Sequence, residues 1–62
     1  MRVLIVKLSS FGDVIHTFPA VTDLAAAVPG VEIDWLVDES LATLPPLHPA
    51  VAGVFPIAWR KL

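Results

Sequence analysis

Apolar residues fall along this chain in two rhythms. Residues 2–7 (Arg-Val-Leu-Ile-Val-Lys) are an unbroken aliphatic run closed by a basic residue at each end, the pattern of a strand buried on both faces of a parallel sheet. The polar, glycine-containing stretch Leu8-Ser9-Ser10-Phe11-Gly12-Asp13 follows. The period then changes: Val14, Phe18, Val21, Leu24 or Ala25, and Val28 recur every three or four residues, which predicts a helix over 14–28, supported by the alanines at 25–27. An interior proline removes a helical hydrogen bond and crowds the preceding turn. Pro19 is therefore expected either at a kink or at the first position of the main helix, with 13–18 as a separate turn. Pro29-Gly30 ends that helix.

A second strand is expected over 31–37. Its first half alternates, which places it nearer a sheet edge than the first strand. Asp38-Glu39-Ser40 offers a cap to a short apolar helix at 41–44, stopped by Pro45-Pro46, and Leu47-His48-Pro49 reads as a loop. Residues 51–57 read as a third strand interrupted by Gly53 and Pro56. Strand–helix–strand–helix–strand implies right-handed crossovers and a parallel sheet. The expected fold class is thus α/β, the first βαβαβ portion of a Rossmann-like sheet, with both helices on one face and the other face bare.

Composition sharpens this. The chain has 62 residues, 56% of them hydrophobic, and its mean hydropathy is +0.80. A domain this small buries only about 60% of the surface its unfolded chain exposes, and with no cysteine neither a disulfide nor a thiolate metal site can compensate. So much apolar surface on so short a chain points to an incomplete amino-terminal domain, residues 1–62, whose remainder covers the bare face. The longest apolar stretches are 3–6 and 51–59, the second broken by Gly53 and Pro56, against the ~20 residues of a membrane span. Lys7 cuts the opening run before a secretory signal could form, so a cytoplasmic address is expected. A net charge of -2 argues against nucleic acid as a partner, and 16% charged residues with high hydrophobicity argue against disorder.

The segment carrying chemistry is 7–13, at the carboxyl end of the first strand, where open α/β sheets bind ligands. Gly12 permits close backbone approach, and free amides at a helix start attract anions. Neither the dinucleotide fingerprint nor the lysine-bearing phosphate loop is present. Asp13 has two readings, a helix N-cap or a carboxylate held at the ligand edge as a general base. A carboxylate near a helix start is a weakened base. His16, three residues on, either flanks the cleft or orients the base or a substrate hydroxyl. Lys7 either carries its charge into the same loop or snorkels to solvent. Asp34, Asp38 and Glu39 are expected to be solvated or capping, and His48 to sit on a surface loop. Two isolated histidines without a paired carboxylate make no metal site, and neither a metal nor a cofactor is implied. Arg60-Lys61 is a solvated tail or the start of a basic patch.

The opening Met-Arg-Val-Leu-Ile-Val-Lys, then Ser9-Ser10-Phe11-Gly12-Asp13-Val14-Ile15-His16-Thr17-Phe18-Pro19-Ala20, resembles the start of the ADP-heptose:lipopolysaccharide heptosyltransferases. Pro29-Gly30, Asp34-Trp35, the acidic pair at Asp38-Glu39 and the basic start at Arg60 extend the likeness over essentially the whole chain. Gly12-Asp13-Val14 with Pro19-Ala20 marks the family. The serine pair and His16 narrow it to the member that adds heptose to Kdo, rather than the one that adds the second heptose. The resemblance implies a two-domain GT-B glycosyltransferase with facing Rossmann-like halves, transferring heptose with inversion from ADP-heptose to the Kdo of Kdo-lipid A at the inner face of the inner membrane. It implies Asp13 as the general base, and Lys7, Ser9, Ser10, Gly12, His16, Arg60 and Lys61 as substrate-binding residues, the basic ones toward the anionic acceptor. Phe11 stands where relatives often carry another apolar residue. The nucleotide is expected to be held by a carboxyl-terminal half that these residues lack, so they are expected to be inactive alone. The second heptosyltransferase, or a non-catalytic βαβ piece with a structural or interaction role, are the alternatives.

Overall fold

A computed structural model of the chain describes residues 1–58. Strand β1 (Arg2–Val6) leads into helix α1 (Phe11–Ala27), which returns to strand β2 (Glu32–Asp38). Two single 3-10 turns, Glu39–Leu41 and Pro45–Leu47, then lead to strand β3 (Val51–Ile57). The strands are parallel in the order β1-β2-β3. β1 pairs with β2 from Arg2↔Glu32 to Val6↔Leu36, and β2 with β3 as far as Asp38↔Ile57, with a register irregularity between Ile33 and Asp34. The α/β reading holds, but β2 is the middle strand of the three rather than the one nearer an edge. Its alternation has another source, the buried and paired carboxylate of Asp34.

Helix α1 is longer and simpler than expected. It begins at Phe11, with Ser10 as its N-cap, and runs without interruption through Pro19. The proline lies on the exposed side of the helix, so its ring meets solvent and not the sheet. Hydroxyls bond back within the helix, Thr17 Oγ1 donating to the Asp13 carbonyl at 2.8 Å and Thr22 Oγ1 to that of Phe18 at 3.2 Å. At the far end Gly30 has φ +81°, a left-handed conformation that favours glycine after a helix.

In place of a second α-helix, the β2–β3 crossover is two short turns. Six residues separate the end of β2 from Pro45, too few to repay helix nucleation, and Pro45-Pro46 withhold amide donors. Asp38 caps the first turn as expected, accepting from the Ser40 amide at 3.1 Å and from the Ser40 hydroxyl. His48 is more than a loop residue. Its Nδ1 accepts from the Ala50 amide at 3.0 Å, its Nε2 lies 2.8 Å from Thr22 Oγ1, and its ring meets Phe18 edge-on, fastening the loop to α1.

The core is small. Val14 and Val21 from α1 close over Ile33, Trp35 and Val37 from β2, each such side chain worth roughly 1.5–3 kcal/mol on burial. Ile5, Val51, Val54 and the apolar residues of both crossovers pack around them. Both crossovers therefore lie on one face of the sheet, as anticipated. On the other face Leu4, Val6 and Phe55 are exposed, with Leu36 beside them, so β1 is covered on one face and not on two.

That uncovered face also holds the polar half of β2's alternation. Asp34 is buried, not solvated: it accepts a hydrogen bond from Arg2 Nε at 3.0 Å, and the pairing raises the Arg2 pKa. A Cβ on Gly53 would stand 2.6 Å from Asp34 Oδ1, so glycine in β3 makes room for a carboxylate in β2. Gly53, expected as an interruption of the strand, is instead a condition of the Arg2–Asp34 pair.

Candidate functional site

Parallel strands deliver their carboxyl ends to one edge of the sheet, and the 7–10 connection crosses that edge from β1 to α1. Its first two residues are tied to β2. The Lys7 amide donates to the Leu36 carbonyl at 3.3 Å, the Trp35 indole Nε1 donates to the Lys7 carbonyl at 3.1 Å, and the Asp38 amide donates to the Leu8 carbonyl at 2.9 Å. The Ser9–Ser10 peptide bond is cis. Ser10 then caps α1, and Phe11, Gly12 and Asp13 form its exposed first turn.

Asp13 is not the cap. It is the third residue of the helix, and its Oδ2 accepts from the Ser10 amide at 3.3 Å and from the Ser10 hydroxyl at 3.2 Å, the reach-back half of a capping box. These two hydrogen bonds, then the nearby Lys7 ammonium, hold its carboxyl below the usual carboxylate range, with a lesser contribution from His16. Asp13 is exposed, so water screens these interactions. The carboxylate is thus ionised at neutral pH and fixed by its own helix end, while its solvent side stays open.

The other residues singled out in the sequence divide by place. Lys7, Ser9, Ser10, Gly12 and His16 gather with Asp13 at this edge. Lys7 and Ser9 are half-buried, while Ser10, Gly12 and His16 are exposed. Arg60 and Lys61 lie outside the described residues. A Cβ at Gly12 would meet no atom within 4 Å, so the fold itself does not require glycine in this helical turn. Phe11, on the same first turn, is also exposed. Among the described residues no three His, Cys, Asp or Glu side chains are grouped to hold a metal ion. No helix among them is long and apolar enough to cross a membrane. Trp35 joins this edge although no motif marks it; its one signal in the sequence is a tryptophan inside a strand, whose N–H must find an acceptor when buried.

Three parallel strands with both crossovers on one face, and an exposed carboxylate on the first turn of the helix that follows β1, make a Rossmann-like α/β half-sheet, the class whose ligand edge lies at the carboxyl ends of its strands. No family model matches the chain, but individual proteins do. It is 61% identical over 64 residues to lipopolysaccharide heptosyltransferase 1 of Pseudomonas aeruginosa, covering 98% of this chain and 18% of that protein. Against the Escherichia coli K12 protein of the same name it is 56% identical, covering 98% of this chain and 20% of the relative. Two solved structures of E. coli heptosyltransferase WaaC, one with ADP-2-deoxy-2-fluoro heptose and one with ADP, superpose with a TM-score of 0.93 at 56% identity. They are covered to 19% and 20%, and this chain to 98%. The chain corresponds in sequence and fold to the amino-terminal part of lipopolysaccharide heptosyltransferase 1, and it spans about a fifth of the length of the relatives it matches.

Proposed function

We propose that these residues form the acceptor-side amino-terminal part of an inverting ADP-heptose glycosyltransferase that adds heptose to the Kdo of the lipopolysaccharide inner core. The observation that carries the reading is Asp13, ionised and fixed by Ser10 at the sheet's ligand edge, in a chain 61% identical to a heptosyltransferase. In the reaction an acceptor hydroxyl attacks the anomeric carbon of the donor from the face opposite the nucleotide. The new carbon–oxygen bond forms as the bond to ADP breaks, ADP leaves with that electron pair, and the hydroxyl proton passes to Asp13. A weakened base suffices, because the transition state is oxocarbenium-like and the attacking hydroxyl grows acidic as its oxygen bonds to carbon.

Lys7, Arg60 and Lys61 bind the anionic acceptor. Ser9, Ser10, Gly12 and His16 contact substrate around the carboxylate, Gly12 by leaving room for it. The nucleotide-sugar is held by a carboxyl-terminal half that lies outside these residues, and the E. coli relative's structures with ADP and ADP-2-deoxy-2-fluoro heptose support the donor. The enzyme works in the cytoplasm, peripheral to the inner face of the inner membrane, where Kdo-lipid A is presented.

The test uses a protein of the relatives' length with these residues at its amino terminus, obtained by grafting them onto the remainder of the E. coli enzyme. Given ADP-heptose, this full-length protein should glycosylate Kdo-lipid A and leave already heptosylated lipid untouched. Transfer only to the heptosylated lipid would reassign it to the second heptosyltransferase, and no transfer to either would defeat the reading.

A further inference from the structure

Trp35 is the largest fully buried side chain, and a buried N–H without an acceptor carries a desolvation cost of roughly 1–3 kcal/mol. Its indole meets that need at the Lys7 carbonyl, 3.1 Å away. The backbone ladder takes the Lys7 amide and the Leu8 carbonyl; the tryptophan takes the carbonyl between them. The same ring also meets Phe18 of α1 edge-on, centroids 5.9 Å apart and planes at 77°. One rigid side chain of β2 therefore touches both elements that the 7–10 connection joins, the end of β1 through a hydrogen bond and helix α1, two turns in, through a ring contact. Asp13 stands on the first turn of that helix, and Lys7 supplies the bonded carbonyl.

We propose that Trp35 is a positioning residue for Asp13: its indole hydrogen bond sets where the 7–10 connection delivers the carboxylate and the Lys7 charge to substrate. The proposal rests on the base assignment made above for Asp13. Catalytic geometry tolerates little displacement, an error near 1 Å costing up to about 10²-fold in rate. Losing the bond should therefore lower turnover without touching donor binding.

The experiment is a cycle in the full-length protein of Trp35→Phe, Asp13→Asn and the double variant, with Val21→Ala as a control. Val21 is buried on α1 and has no bond to the connection, so its loss lowers stability alone. Trp35→Phe should lower kcat by roughly 10- to 100-fold at a temperature where it is fully folded, with KM for ADP-heptose unchanged. Val21→Ala should melt earlier yet keep the parental kcat. Residues acting through one group do not add, so the double variant should be no slower than Asp13→Asn. If Trp35→Phe does not fold, a one-atom replacement at this position, sulfur for the indole nitrogen, removes the donor while keeping the shape, and should show the same loss.

Parental turnover in whichever of these variants folds, equal loss in Val21→Ala, or losses that multiply in the double variant would each overturn the positioning role while leaving Asp13 as base. Normal turnover in Asp13→Asn would instead defeat the base assignment, and this proposal with it.

Discussion

At Asp13 two demands on one carboxylate meet. Reaching back to Ser10 steadies the start of α1, and the same bonds, with Lys7, make the group a weaker base. The consequence can be read from stability. A carboxyl whose pKa is depressed on folding contributes stability that is fully present above its unfolded pKa, about 3.9, and that is lost as pH falls through the lower folded value. The difference in Tm between the parent and Asp13→Asn full-length proteins should therefore stay constant from neutral pH to about pH 5 and close below about pH 4. A difference that widens on acidification would show that Asp13 is not held in its ionised form. Sequence alone located this carboxylate but not its role at the helix end. Both Ser10 and Asp13 are favoured N-cap residues, and only the helix's true start at Phe11 assigns the cap to the serine.

Among the elements, α1 shows a local cost that the fold does not explain. Gly12 occupies its first turn with open space around the missing Cβ, although glycine in a helix is less favourable than alanine by roughly 0.5–1 kcal/mol. Gly12→Ala should raise full-length stability by up to that amount, measured by denaturant midpoint, while raising KM for the acceptor because the methyl occupies substrate space. Unchanged kinetics alongside the stability gain would remove Gly12 from the site. Helix α1 was legible because its period of 3.6 is set by local geometry, and the strands because short β-branched and aliphatic runs lie between turn residues. The unbroken passage through Pro19 was not, because it depends on which side of the helix the proline faces. Nor was the central place of β2: its alternation came from Asp34, whose partner Arg2 is 32 residues away and whose space is made by Gly53. No local window holds that information.

For the molecule as a whole, the one-sided sheet is the governing fact. Leu4, Val6 and Phe55 are exposed on a face that no described residue covers. The isolated 62-residue chain should accordingly be poorly soluble, self-associated or loosely packed, as sedimentation velocity and thermal melting would reveal; a monodisperse monomer with a sharp cooperative transition would contradict this. The central claim remains catalytic, and a single substitution in the full-length protein tests it most directly. Asp13→Asn keeps the size of the side chain and most of its ability to steady the helix start, but it cannot take a proton from the acceptor. Even loss of a whole cap costs only about 1 kcal/mol, and Asp13 supplies just the reach-back half of the capping box, whereas general-base help is worth about 10²–10⁴-fold in rate. The account predicts that Asp13→Asn stays folded, with a Tm within a few degrees of the parent and ADP-heptose affinity little changed, while kcat falls by at least about two orders of magnitude. Near-parental kcat in Asp13→Asn, with Asp13→Ala merely destabilised, would mean that the carboxylate only holds the helix end, and would contradict the account.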